Sequence, residues 1–324
     1  MQLYIITFSK KLKMINSRTW CFFRGACPVI VIFVRASVSR RATSNGVRDM
    51  TDDIEDRTLR FRALHGGDGA FVIPNPWDTG SARIFAGLGF EALATTSSGL
   101  AFALGKSDGS VSREEHLAHI GALVDATPLP VSADLEQCYS DDPKEAADTI
   151  RMASEAGASG GSIEDYTGPP GGRIYDFDHA VERVAAAVEV VRSLPRPFVL
   201  TARAENLIRG VDDLDDTIRR LQAFDKAGAE VLYAPGLKTA EDVRAVCSAV
   251  SKPVNVLATP ALSVAEIAEA GGKRISVGGA LARTAIGGFL SASREIIEKG
   301  TFTAIGDAPG FPEINAIMGE KGSG

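Results

Sequence analysis

From residue 70 onward the apolar positions follow two alternating patterns. Short runs of aliphatic and β-branched residues end on polar residues or glycine. An amphipathic stretch follows each run, and most of these stretches close on glycine. Eight runs stand out: Phe71–Pro74, Ala92–Thr96, Leu129–Ala133, Gly161–Glu164, Pro197–Ala202, Glu230–Ala234, Pro253–Ala258 and Arg274–Val277. Near-continuous apolar runs separated by helical patterns predict a parallel sheet covered on its outer side. Eight βα units close a barrel. The expected fold is therefore α/β, a (β/α)8 barrel of the TIM type, with residues 51–324 as one domain ending in a short tail.

The punctuation between the runs agrees. Ser112 with Glu115, and Ser263 with Glu266, have the spacing of reciprocal caps at helix starts. Asp142-Pro143 places a capping carboxylate before a proline at the first helical position. Gly157, Gly228, Gly271 and Gly300 follow helical patterns, where a left-handed residue is wanted. Ala147, Ile150, Met152 and Ala153 are spaced as one buried stripe.

Composition narrows the class. The chain is 45% hydrophobic and 23% charged, as in ordinary soluble globular proteins. Its four cysteines form no CxxC pair, which fits free thiols in a reducing compartment, so the expected location is cytoplasmic. Residues 1–50 carry nine Lys/Arg and one acid, Asp49, around a short apolar run, Pro28–Val34, too short to span a membrane. They are expected to be a basic extension outside the fold, disordered or not native, with Met50 as the working initiator; an organelle transit peptide is the alternative. The remainder carries 26 basic and 40 acidic residues, a balance of −14. That acidic body argues against nucleic acid as a partner. With no membrane expected either, the anticipated partner is a small molecule drawn by a local metal or arginine.

In such a barrel the chemistry sits where strands end and loops begin. Asp134 and Glu136 are two apart and so face one side, with Glu164 arriving from the next run. Neighbouring carboxylates repel unless one is protonated or a cation lies between them. Mg2+ suits such an oxygen set, and Mn2+ is the alternative; pairing with arginine is the competing explanation. Arg203 ends its run with a fork suited to a carboxylate or phosphonate, or to an ion pair with Glu205 or Glu164. Ser98, Gly99 and Leu100 offer consecutive amides that can cradle an anion. Tyr166, Tyr233 and Glu205 are the candidate proton donors. His116 and His119 lie on an outer helix and are read as packing or solvated residues. Lys238 is the one candidate for a Schiff base, although its setting suits a surface lysine.

Ser132-Ala-Asp-Leu-Glu136, Ser162-Ile-Glu-Asp165 and Leu200-Thr-Ala-Arg-Ala-Glu205 resemble the isocitrate lyase / phosphoenolpyruvate mutase superfamily. The resemblance takes in Pro76-Trp-Asp-Thr-Gly-Ser-Ala-Arg83, Ser98-Gly-Leu100 and Asp108-Gly, and covers roughly residues 58–300 in matching order. It implies that Asp134 contacts Mg2+ most directly, while Glu136 and Glu164 hold it largely through water. It implies that Ser98, Gly99, Leu100 and Arg203 bind the substrate, with Asp108 near the pocket; Trp77 and Asp78 join this expected set. It also implies a last helix, Ala280–Glu298, exchanged between subunits of a homodimer or homotetramer.

The chain departs from the family pattern after the fourth run. A loop with Lys-Lys-Cys-Gly-His is expected of the isocitrate and methylisocitrate lyases, but the chain reads Asp165-Tyr-Thr-Gly-Pro-Pro-Gly-Gly172. The usual small-Gly-aromatic tail of the third run is replaced by Gln137-Cys138-Tyr139. The expected activity is a Mg2+-dependent lyase that breaks a C–C bond of a small 2-oxo or 2-hydroxy acid through an enolate, with Arg203, Glu205 and Tyr233 at the reacting atoms. Carbon–phosphorus chemistry and a non-catalytic carboxylate-binding barrel are the alternatives.

Overall fold

The computed structural model describes residues 50–169 and 171–319, so the expectations for the N-terminal extension lie outside it. Eight strands run in chain order: β1 Phe71–Ile73, β2 Leu93–Ala94, β3 Val131–Asp134, β4 Gly160–Glu164, β5 Val199–Arg203, β6 Val231–Tyr233, β7 Val254–Leu257 and β8 Arg274–Ser276. All ladders are parallel, in the order β1-β8-β7-β6-β5-β4-β3-β2. The gap between β1 and β2 is bridged by Ala94 N–H donating to Pro74 O at 3.0 Å. Asn75 tightens the same seam. Its Nδ2 donates to Thr95 O (2.9 Å), and its Oδ1 accepts from Val277 N and Gly278 N (2.9 and 2.8 Å). The fold is thus the nearly closed (β/α)8 barrel that the apolar rhythm predicts. The strands expected to begin at Pro197 and Pro253 begin just after them, because proline has no N–H for a ladder.

The helices are α1 Met50–Gly66, α2 Thr79–Gly87, α3 Ser97–Ala103, α4 Arg113–Ala126, α5 Pro143–Glu155, α6 Phe177–Ser193, α7 Leu214–Ala227, α8 Ala240–Ala249, α9 Val264–Glu269, α10 Ala280–Lys299 and α11 Phe311–Gly319. The predicted caps of α4, α5 and α9 form, and Gly228 and Gly300 end α7 and α10 in the left-handed region.

Alternation along each strand sorts the side chains. In β5, Leu200 and Ala202 join the layer shared with the outer helices, while Val199, Thr201 and Arg203 take the other face and climb the interior. Phe61 of α1 plugs the lower end, fully buried against Ile73, Ala92, Val199 and Val231. Polar residues gather at the opposite end. The last two helices are less covered: α10 buries only Ala282, and Phe289, Ile297 and Phe311 are largely exposed. Among the described residues no helix is long and apolar enough to cross a membrane.

Gly160 shows how tight the lower layer is. A Cβ there would lie 2.5 Å from Val199 O and 3.1 Å from the Phe61 ring. Gly160→Ala is expected to destabilise the fold by about 1–3 kcal/mol through overpacking. Urea unfolding checks this; a variant as stable as the parent contradicts it.

Candidate active site

The strand ends and their loops surround a cavity of about 540 Å³. Ser98, Asp108, Asp134, Glu136, Glu164, Arg203, Glu205 and Tyr233 all border it, joined by Tyr166, Arg209 and Arg274. Of the expected substrate-binding residues, Trp77, Asp78, Gly99 and Leu100 lie outside its lining. The Asp78 carboxylate caps α2 by accepting from Ser81 N at 2.7 Å. The Gly99 and Leu100 amides are spent on α3, bonding Thr96 Oγ1 and Thr96 O. Trp77 packs against Gly99, where a Cβ would come within 2.9 Å of it. Trp77, Gly99 and Leu100 therefore hold the first turn of α3, which carries Ser98, while Asp78 holds α2, and the amides expected to cradle an anion are bonded within α3. Lys238 is also remote: its side chain is 76% exposed, which removes the Schiff-base alternative.

Arg203 sits at the centre. Its Nη1 meets Asp134 Oδ1 at 2.6 Å, and its Nη2 meets Glu164 Oε2 at 3.2 Å. Its Nε and Nη2 both reach Glu205 Oε1, at 3.0 and 2.8 Å. The second oxygen of Glu205 accepts from Arg209, which stacks over the Tyr166 ring at 3.8 Å. Glu205 is fully buried with both oxygens engaged, so it orients the two arginines; it is not placed as the proton donor expected of it. Arg203 also lies over the Tyr233 ring, 5.0 Å from its centroid.

The carboxylates crowd around Arg203 and Arg209, and several resist ionisation there. Burial and the Asp134 and Asp108 carboxylates push Glu136 up to about 7. Burial and Glu205 hold Glu164 well above its usual range. Burial and Asp134 raise Asp108. Burial opposes ionisation of Asp134 as well, but Arg203 and the Ser97 N–H outweigh it, so that carboxyl is lowered. Five carboxylates thus border the cavity with Arg203, Arg209, Arg274 and Arg283. Among the described residues only Arg203 and Arg209 pair with those carboxylates, and three of the five resist ionisation. An all-carboxylate set with surplus negative charge fits a hard divalent cation. Among the described residues no three acids converge on one point; Arg203 occupies the space between Asp134 and Glu164. A cation that keeps its waters does not need them to converge, and the cavity has room for it.

The turn after β3 is strained. Glu136, Cys138 and Tyr139 have φ of 53°, 58° and 60°, a region that costs a non-glycine residue roughly 1–2 kcal/mol. Buried Arg183 binds Gln137 O and Ser140 O, and Thr149 Oγ1 binds Cys138 O, which fixes the turn. The Tyr139 hydroxyl meets His116 Nδ1 at 2.7 Å, and His116 Nε2 lies 3.4 Å from Thr95 Oγ1, which accepts from Asp134 N. Burial lowers His116, so it is a neutral packing residue as its place on α4 suggests, and it also braces the Asp134 backbone. Sequence reasoning missed Arg209 and Arg274. Arg209 follows Arg203 by six residues in one loop, a detectable signal, whereas Arg274 opens its strand and looks like a surface charge.

Residues 61–297 match the family model of phosphoenolpyruvate phosphomutase. The chain therefore belongs to the phosphoenolpyruvate mutase/isocitrate lyase family of barrel enzymes. A crystal structure of a protein from Burkholderia cenocepacia J2315, assigned as a lyase/mutase, is 52% identical with a TM-score of 0.80, covering 83% of this chain and 98% of that one. The uncharacterized protein Rv1998c of Mycobacterium tuberculosis (strain H37Rv) is 32% identical over 68% of this chain and 82% of its own length. The structure of 2,3-dimethylmalate lyase is 26% identical with a TM-score of 0.72, over 81% of this chain and 94% of that chain.

Glu136 binds its proton more tightly in the folded chain than in the unfolded one, where it titrates near 4.5. Its contribution to stability therefore falls as pH rises from 4.5 to 7. At about 1.4 kcal/mol per unit, the loss is at most about 3.5 kcal/mol. Buried His65, lowered to about 3 chiefly by burial, acts in the opposite direction but cancels in a comparison with Glu136→Gln. In EDTA the variant is expected to gain stability relative to the parent between pH 5 and 7.5, read by calorimetry. A constant difference counts against the raised carboxyl.

Proposed function

We propose that this chain is a Mg2+-dependent lyase that cleaves a C–C bond of a small 2-oxo or 2-hydroxy dicarboxylate of the oxaloacetate or substituted-malate type. The observation that carries this reading is the surplus of carboxylates around Arg203. Asp134, Glu136 and Glu164 are the residues that would hold the ion, with Mn2+ as a substitute. Once bound, it supplies Lewis acidity to an oxygen on which negative charge develops. Ser98 and the remaining Nη1 N–H of Arg203 orient the substrate carboxylate. In a 2-hydroxy acid a rim carboxylate takes the hydroxyl proton, the C2–C3 bond breaks as that C–O becomes a carbonyl, and the electron pair forms the enolate of the departing acid. In a 2-oxo acid the distal carboxylate leaves as CO2 and its electron pair forms the enolate. In both a proton then returns to carbon. Tyr233 delivers that proton; burial pushes its phenol up to about 12, so it is protonated at neutral pH. Tyr166 and Pro169, which borders the loop at Gly109, exclude water from above. The likeness to 2,3-dimethylmalate lyase supports a substituted malate.

Release of pyruvate or its homologues from a panel of such acids is expected to vanish in EDTA and to return with Mg2+. Asp134→Asn is expected to lower kcat by at least about 100-fold. Turnover that ignores EDTA rejects the mechanism. Mg2+-dependent oxalate binding beside no turnover on the panel favours a carboxylate-binding barrel instead.

The uncovered apolar residues of α10 support self-association as a dimer or tetramer. Sedimentation is expected to show an oligomer that Phe289→Asp with Ile297→Asp dissociates; a monomeric parent chain contradicts this.

A further inference from the structure

Barrel interiors are usually filled by bulky branched side chains. Here Ala94, Ser132, Ser162 and Ser276 border the cavity, which therefore continues down from the rim into the barrel. Its lower part is bordered by Arg274, the first residue of β8. Strand register ties this residue to the site: Arg203 pairs with Tyr233, Tyr233 with Asn255, and Asn255 with Arg274. The Arg274 guanidinium reaches across to β5, where Nη2 donates to Thr201 Oγ1 at 3.1 Å. Thr201 precedes Arg203 by two residues, which places that contact one interior layer, about 7 Å along the strand, below it.

Among the buried arginines of the described residues only Arg274 and Arg183 bond neutral oxygens alone, and of these two only Arg274 borders the cavity. Arg203 and Arg220 are each paired with carboxylates. Arg274 is 5% exposed and bonds only neutral oxygens, Asn255 Oδ1 at 2.9 Å and Thr201 Oγ1. Its Nη1 has no hydrogen-bond partner among the described residues. Burial lowers it to about 10, so it stays charged at neutral pH. Holding an uncompensated guanidinium inside a protein is costly, and an arriving anion supplies the missing counter-charge through a forked contact.

We propose that Arg274 forms the anion-binding floor of the cavity and receives the second carboxylate of a short dicarboxylic acid. This rests on the lyase reading above, which places the first carboxylate at the rim beside Arg203. Substrates with a methyl group in place of the distal carboxylate leave the floor cation unpaired and bind poorly.

Malate and lactate test this, since they differ by that one carboxylate. Calorimetry with Mg2+ present is expected to show malate binding at least about 30-fold tighter than lactate. Arg274→Met is expected to bring malate within about threefold of lactate and to leave lactate within about twofold of its parent value. Arg274→Lys, which keeps the charge but not the fork, is expected to lose about tenfold for malate, and it carries the test if the methionine variant does not fold. Equal binding of the two acids by the parent overturns the proposal. So does full malate preference in a folded variant. Calorimetry reads binding without turnover, so the two readings fail separately. Lost malate preference beside no cleavage of any acid upholds the floor and removes the lyase. Cleavage beside an unchanged preference does the reverse.

Discussion

Arg203 joins three carboxylates that reach it from separate points of the chain: Asp134 at the end of β3, Glu164 on β4 and Glu205 beyond β5. In a buried setting, three such groups cannot ionise together unless positive charge lies among them. The guanidinium provides that charge and the geometry together, because its planar fork offers donors in fixed directions. Most of what surrounds it serves to hold it. Glu205 fixes its Nε edge, Tyr233 lies beneath its plane, and Arg209 neutralises the far oxygen of Glu205.

Arg203 and Arg209 do not neutralise every carboxylate packed around them, and what is left over is chemically useful. Groups that resist ionisation in the empty cavity become ready ligands when a cation enters, since binding then replaces a proton. The strained turn after β3 belongs to the same arrangement. Glu136, Cys138 and Tyr139 hold left-handed backbone that glycine would adopt freely. Arg183, Thr149 and the His116–Tyr139 contact keep it there. Strain of this kind persists only where surrounding structure over-determines it, and such places cluster at functional sites.

The departures from the family pattern also gain a physical meaning. The loop after β4 carries no thiol or lysine, and instead brings Tyr166 under Arg209 and Pro169 against Gly109. Tyr166, Gly168 and Pro169 of the loop border the cavity, and the cation near them comes from the neighbouring loop after β5. Of the positively charged cavity residues that the sequence motifs do not contain, Arg209 and Arg274 lie above and below Arg203 and Arg283 borders the cavity from α10, a layout that suits an elongated substrate with charge at more than one point.

The sequence by itself determined the architecture, because periodicity, caps and glycine stops are local signals written residue by residue. All eight strands and the capped starts of α4, α5 and α9 were legible in this way. It also determined the acidic trio and Arg203, since strand ends in a parallel barrel converge on one face whatever the loops do. Only the tertiary structure decided how these groups divide the work. That Arg203 stands between Asp134 and Glu164, that Glu205 positions and does not donate, and that Gly99 and Leu100 spend their amides on a helix depend on distances across strands. Nothing in a one-dimensional string distinguishes Arg274 at a strand's start from a solvated surface charge. The space beside it follows from small side chains on three other strands, Ala94, Ser132 and Ser162, with Ser276 on its own strand, and that shared space exists only once the barrel has closed.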